Sequence, residues 1–184
     1  MINQRCRILE PEWIILKRIL ELRQKTKCTK FVGAITTELL RKEIAQLGLN
    51  VSNRDVFIEG IPNELDLLVA KTGNYPEENL VYGTDQVLAV FEIKFRGSYG
   101  KSTVDEIKDV FDSIKRLNRH IECFYVSISE NKRYKYRITK DNLGYDCFEL
   151  FTRDSNLESA LKKDSLKPTG DLERLLLRLK QLDQ

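Results

Sequence analysis

The stretch Val87-Leu88-Ala89-Val90-Phe91-Glu92-Ile93-Lys94-Phe95 constrains this chain more than any other. An unbroken apolar run that passes into alternation reads as a strand, in which residues i and i+2 share a face. Glu92 and Lys94 therefore project side by side, while Phe91, Ile93 and Phe95 point the other way. A second apolar run, Leu65 to Ala70, carries its own lone acid at Asp66. Two carboxylates and an ammonium on largely apolar strands are costly unless they pair, meet water or hold a metal.

The surrounding elements follow from periodicity and breakers. Pro11 to Arg23 predicts a broadly apolar N-terminal helix, followed by a basic link from Lys25 to Lys30. After Gly33, Thr36 or Thr37 is the candidate N-cap of a helix that runs to about Leu47 and stops at Gly48. Leu39, Leu40, Ile44 and Leu47 make its apolar stripe; Glu43 falls inside that stripe and Glu38 outside it. Asn53 to Glu59 and Glu64 to Lys71 read as strands joined by a Gly60–Asn63 turn, a hairpin. A polar loop, Thr72 to Asp85, leads to the strand Gln86–Phe95.

The turn Gly97–Ser102 then opens a helix from Thr103 to Asn118 with Val104, Ile107, Val110, Phe111, Ile114 and Leu117 on one face. Glu122 to Ser129 is the next strand, so strand, helix and strand form a right-handed crossover. Arg133 to Thr139 alternates basic and aromatic residues and reads as an exposed loop or a protected edge strand, with nucleic-acid stacking as the functional reading. Cys147 to Phe151 is a last strand, and Asp171 to Leu182 a Leu-rich helix after the Lys167–Gly170 break. The expectation is one domain over residues 1–184, with a helical extension at 1–30, a core at 33–154 and a C-terminal helix within 171–184.

Composition narrows the chemistry. With 184 residues and 41% hydrophobic content the chain can bury a real core. A net charge of +3 permits nucleic-acid binding without demanding it. Four widely spaced cysteines without CxxC pairing suggest neither a zinc knuckle nor a disulfide framework, and read as reduced thiols in the cytoplasm. A single histidine, His120, argues against a Ser/His/Asp triad or a histidine metal site, leaving carboxylates and lysine to carry any chemistry. No stretch reaches membrane-spanning length and no signal peptide is evident, so a cytoplasmic protein without a membrane partner is expected. Gly97 to Ser102 lacks Walker spacing, which disfavours nucleotide hydrolysis and predicts no nucleotide cofactor.

Asp66 in Asn63-Glu64-Leu65-Asp66-Leu67-Leu68-Val69, with Glu92 and Lys94 in Val90-Phe91-Glu92-Ile93-Lys94-Phe95, resembles the PD-(D/E)xK nuclease superfamily. Over about residues 33–129 the layout is similar to that of Holliday-junction-resolvase-like members. Leu65 stands where the superfamily's name has proline. The resemblance implies a restriction-endonuclease-like α/β fold: an αβββαβ core whose central mixed sheet is flanked by helices, with extra N- and C-terminal helices.

It also implies a site. Phosphodiester hydrolysis needs a hard divalent cation that polarises the phosphate and acidifies a bound water. Asp66 and Glu92 are the expected ligands for Mg²⁺, with Mn²⁺ as a substitute, and the Ile93 carbonyl a further ligand by analogy. Lys94 is expected beside the attacking water. A helix acid completes the set: Glu38 is favoured by motif position, Glu43 by helical face, and the sequence does not choose between them. Glu64 shares a strand face with Asp66 but is expected to face solvent. Arg96, Lys101 and Ser102 are candidate phosphate contacts, with an ordinary polar turn as the alternative.

The function this implies is a metal-dependent DNA endonuclease, restriction-like or junction-resolving, and homodimeric because a double-strand cut needs two sites. The alternatives are an inactive nuclease-fold module that binds nucleic acid or a protein partner, and a winged DNA-binding unit built from Thr36 to Gly48.

Overall fold

A computed structural model of the chain describes residues 29–71, 80–96, 98–129, 136–152 and 167–182. The expected helix over Pro11–Arg23 lies outside them. Helix α1 spans Thr29–Ala45. It is followed by β1 (Asn50–Val51), β2 (Phe57–Ile58), β3 (Leu67–Ala70), β4 (Val81–Tyr82), β5 (Val87–Arg96) and β6 (Ser98–Tyr99). Helix α2 (Lys101–Leu117) leads to β7 (Glu122–Ser129), β8 (Tyr136–Arg137), the short α3 (Lys140–Leu143), β9 (Asp146–Thr152), β10 (Lys167–Pro168) and α4 (Asp171–Leu179).

Six strands form one mixed sheet in the order β1-β3-β5-β7-β9-β10. β1, β3 and β5 are antiparallel neighbours, β5, β7 and β9 are parallel, and β10 returns antiparallel at the far edge. Parallel neighbours require a crossover, and α2 supplies the one between β5 and β7. Along the chain, α1, β1, β3, β5, α2 and β7 make the expected αβββαβ core.

The alternation of the strands sorts the core onto two faces. On one, Leu67 and Val69 of β3, Phe91 and Ile93 of β5, and Phe124 and Val126 of β7 pack with Leu40 and Ile44 of α1 and Leu172, Leu175 and Leu179 of α4. On the other, Leu68, Val90, Cys123 and Tyr125 pack with Val104, Ile107, Phe111 and Ile114 of α2. The result is a three-layer arrangement with β5 near its middle.

Two expectations from sequence are corrected. Thr36 and Thr37 do not cap a helix; they are buried inside α1, and the Thr37 hydroxyl donates to the Gly33 carbonyl one turn back at 3.2 Å. A threonine hydroxyl satisfied within its own helix no longer signals a start. The helix itself ends at Ala45, two residues short of the expected Leu47, and a turn through Gly48, whose φ of +82° suits glycine, follows it.

The segment Asn53–Glu59 is not one strand, because Asp55 sits at φ +60° and breaks it. Val56 keeps a single antiparallel bridge to Leu65, while β2 leaves to pair in parallel with β4. The main-sheet partner of β3 is instead β1, where Ser52 both donates its amide to the Leu68 carbonyl at 2.9 Å and accepts the Leu68 amide on its hydroxyl at 3.0 Å.

Candidate active site

Glu92 and Lys94 project from β5 toward α2, because Phe91 and Ile93 are claimed by the apolar cluster on the α1 side. Asp66 sits at a bend immediately before β3. Its Oδ2 accepts the Ile93 amide at 2.7 Å, so a side chain takes the hydrogen bond that an extended β3 backbone would otherwise make. That contact fixes the Asp66 carboxylate against the peptide between Glu92 and Lys94. The Lys94 ammonium lies 3.7 Å from Asp66 Oδ2 and forms a close ion pair with Glu92 Oε1.

Burial differs among the three. The Glu92 side chain is 18% exposed, against 28% for Asp66 and 30% for Lys94. Burial accordingly pushes the Glu92 carboxyl above its ordinary range; Lys94 opposes the shift and the neighbouring Asp66 charge adds to it.

Beside these groups lies a cleft of about 240 Å³ between the sheet and α2. Glu92, Lys94, Asn63, Glu64, Thr103 and Glu106 give it polar walls, and apolar residues of α2, among them Phe111, line the rest. Glu64 is exposed, as its position predicted, yet it borders this cleft. Sequence reasoning missed Thr103 and Glu106. Their three-residue spacing on an amphipathic helix, beside the buried Val104 and Ile107, was the signal available.

The helix acids behave otherwise. Glu38 is held by Arg41 through two hydrogen bonds of 2.8 and 2.9 Å, with Lys42 at 3.9 Å, and the Arg41 guanidinium keeps its carboxyl below the usual range. Glu43 is half-buried, and burial raises its carboxyl. Among the described residues no three acids, histidines or cysteines form a metal-binding group, so neither Glu38 nor Glu43 completes a set with Asp66 and Glu92. The layering explains this, since α1 packs on the face opposite Glu92 and Lys94. The remaining donor set still fits a hard cation: two carboxylates converge on one cationic position beside water-accessible space. Arg96 closes β5, and Lys101 and Ser102 open α2 with exposed side chains.

This framework superposes on solved nucleases. NucC of P. aeruginosa ATCC27853, in its cAAA-bound form, matches with a TM-score of 0.65 over 98% of this chain and 92% of that chain, at 11% identity. NucC of E. coli MS115-1, also cAAA-bound, matches with a TM-score of 0.66 over 98% and 91%, at 13% identity. The chain has a restriction-endonuclease-like fold, as in NucC.

At these identities the restriction-endonuclease-like fold is what the likeness establishes. No family model and no curated protein matches the sequence. Nothing in the likeness singles out branched DNA as a substrate. One expectation is at odds with it: both NucC structures hold cAAA, a cyclic tri-adenylate, whereas the sequence, lacking Walker spacing, led to the expectation of no nucleotide cofactor. Walker spacing reports a phosphate loop for nucleotide hydrolysis, and its absence says nothing about capture of a regulatory nucleotide. Among the described residues no helix is long and apolar enough to cross a membrane.

Proposed function

We propose that this chain is a metal-dependent DNA endonuclease working through Asp66, Glu92 and Lys94. The observation that carries the reading is the Lys94 ammonium shared between two carboxylates, one of them anchored on the Ile93 amide. The fold supports it, NucC being a cyclic-oligoadenylate-activated DNA endonuclease.

Asp66 and Glu92 would hold Mg²⁺ or Mn²⁺, with the Ile93 carbonyl as a further oxygen donor. When bound, the cation polarises the phosphate and supplies a water acidic enough to attack at neutral pH. The chain's own part is positional and electrostatic. Asp66 orients the Ile93 peptide, Glu92 and Asp66 concentrate negative charge at one point, and Lys94 steadies the attacking water and offsets charge on the phosphorane-like transition state. Arg96, Lys101 and Ser102 would meet flanking phosphates. Cutting both strands requires at least two copies of the site, hence a homodimer or larger assembly.

Purified full-length protein incubated with plasmid in Mg²⁺, Mn²⁺ or EDTA, with and without cyclic tri-adenylate, tests this. Cleavage is expected with either metal and none in EDTA, and activation by the cyclic nucleotide would extend the NucC likeness to regulation. Unimpaired cleavage by Lys94→Ala would overturn the mechanism. Salt-dependent DNA binding without turnover under every condition would favour an inactive binding module.

A further inference from the structure

A second cleft, of about 210 Å³, opens beside the first, and Tyr125 and Ser127 of β7 and Glu149 of β9 are among its described lining residues. The register ties the two clefts together: Lys94 on β5 stands opposite Ser127, and Ser127 opposite Glu149. Register partners of parallel strands point to the same side of the sheet, so one polar row runs from the candidate active site into the second cleft. Two strand spacings separate the Lys94 and Glu149 backbones, about 10 Å. That is the reach from a phosphate to the far edge of its own base.

The polar groups of this cleft lie deep. Tyr125 is 1% exposed, Ser127 2% and Glu149 8%. A hydroxyl and a carboxylate buried in a sheet are costly where packing alone would be served by an aliphatic side chain. The backbone under the carboxylate is pinned at both of its polar groups: the Glu149 amide donates to Asp171 Oδ2 at 2.8 Å, and the Glu149 carbonyl accepts the Thr169 hydroxyl. The strand is thus fixed where Glu149 enters the cleft.

Chemistry selects the occupant. A carboxylate repels phosphate and accepts N–H donors. Lys140 and Arg174, the cations among the described lining, are already ion-paired, with Asp146 at 2.7 Å and Asp171 at 3.3 Å. The cleft is therefore poorly suited to an anion. Its volume is below the ~300–1,000 Å³ of pockets that enclose a whole drug-sized ligand, and suits a single uncharged ring system. Guanine alone among the four DNA bases presents two adjacent N–H donors, N1–H and N2–H, on one edge, which two carboxylate oxygens accept together. Adenine and cytosine set a ring acceptor beside their amine, and thymine has one N–H between two carbonyls.

We propose that the second cleft reads the base next to the scissile phosphate, Glu149 accepting N1–H and N2–H of a guanine drawn out of the stack. The inference rests on the nuclease reading of Asp66, Glu92 and Lys94. Glu149 is then a specificity-determining residue of that reaction. Enzymes that read a single base commonly extrude it into a pocket, where hydrogen bonds to its Watson–Crick edge select it. A Glu149 serving only to hold β9 would leave base preference unmoved.

Two measurements on the full chain test this. In the first, a duplex library randomised around the cut is cleaved in Mg²⁺ and the new ends are sequenced. Wild type is expected to favour guanine at one position beside the cut by about ten- to a hundredfold. Glu149→Gln keeps the shape and sets one donor beside one acceptor, so it is expected to move that preference to adenine or cytosine. The second needs neither variant nor turnover: single-stranded thymine oligonucleotides carrying one guanine or one hypoxanthine are compared by fluorescence anisotropy in EDTA. Hypoxanthine lacks the N2 amine, and its oligonucleotide is expected to bind about tenfold more weakly.

Equal affinity for the two oligonucleotides overturns the inference whether or not the protein cuts. Cleavage without base preference, or a guanine preference that survives Glu149→Gln, also overturns it and leaves the nuclease reading intact. Discrimination against hypoxanthine without cleavage under any condition sustains the base subsite and sinks the catalytic reading.

Discussion

Asp66 has two roles that chemistry can separate. Its Oδ2 accepts the Ile93 amide at 2.7 Å, and its charge faces Lys94 at 3.7 Å. Asp66→Asn keeps an acceptor and loses the charge, so folding stability is expected within about 0.5 kcal/mol of wild type. Asp66→Ala strands the amide of Ile93, a residue only 4% exposed, and is expected to cost about 1–3 kcal/mol by urea titration. Both are expected to lower plasmid cleavage at least ~100-fold.

A second residue-scale prediction concerns Glu43, whose carboxyl burial raises above 4.5. The folded protein then keeps a proton at pH values where the unfolded chain has released it, so stability falls as pH rises from the unfolded value through the folded one. Glu43→Gln removes this dependence. Its urea midpoint is expected to exceed that of wild type by a margin that opens across that window and stays constant above it.

At the scale of elements, the end of α1 and the packing of α2 make separate demands. Gly48 has φ +82° and open space where a Cβ would stand, so Gly48→Ala tests conformation alone and is expected to cost about 1 kcal/mol in chemical denaturation. Phe111 is 1% exposed, meets Tyr145 edge-on at 5.1 Å between ring centroids, and also lines the cleft. Phe111→Ala is expected to cost about 3–5 kcal/mol.

The α2 helix was readable because its apolar face repeats at helical period without interruption, and Val104, Ile107, Phe111 and Ile114 are buried as that face required. The start of α1 was not, because a buried threonine and a capping threonine are the same letter. The first strand was misplaced for a related reason: Val56 and Ile58 are buried as strand residues would be, but their backbones serve a bridge and a small second sheet.

At the scale of the whole molecule, the proposed metal site links ligand to stability. A cation bound by the folded chain alone stabilises it by about 2.7 kcal/mol at a hundredfold excess over its Kd. Thermal melting with and without Mg²⁺ is expected to show an upward shift, and Glu92→Gln to abolish it. Glu92 is the informative position because it is the most buried of the three charged groups, so its side chain has the least water to lose to a bound cation.

What the sequence determined by itself is what backbone geometry makes local. Period-two alternation put Glu92 and Lys94 on one face of β5 and Phe91 and Ile93 on the other. The strand, helix and strand from Val87 to Ser129 followed from runs long enough to carry their own period. Tertiary structure alone decided that Asp66 binds the Ile93 amide, that α1 carries Glu38 and Glu43 to the far face, that Thr103 and Glu106 border the cleft, and that Ser98–Tyr99 meets Tyr136–Arg137. Each depends on which distant surfaces bury together, a sum over the whole sheet that no local period encodes.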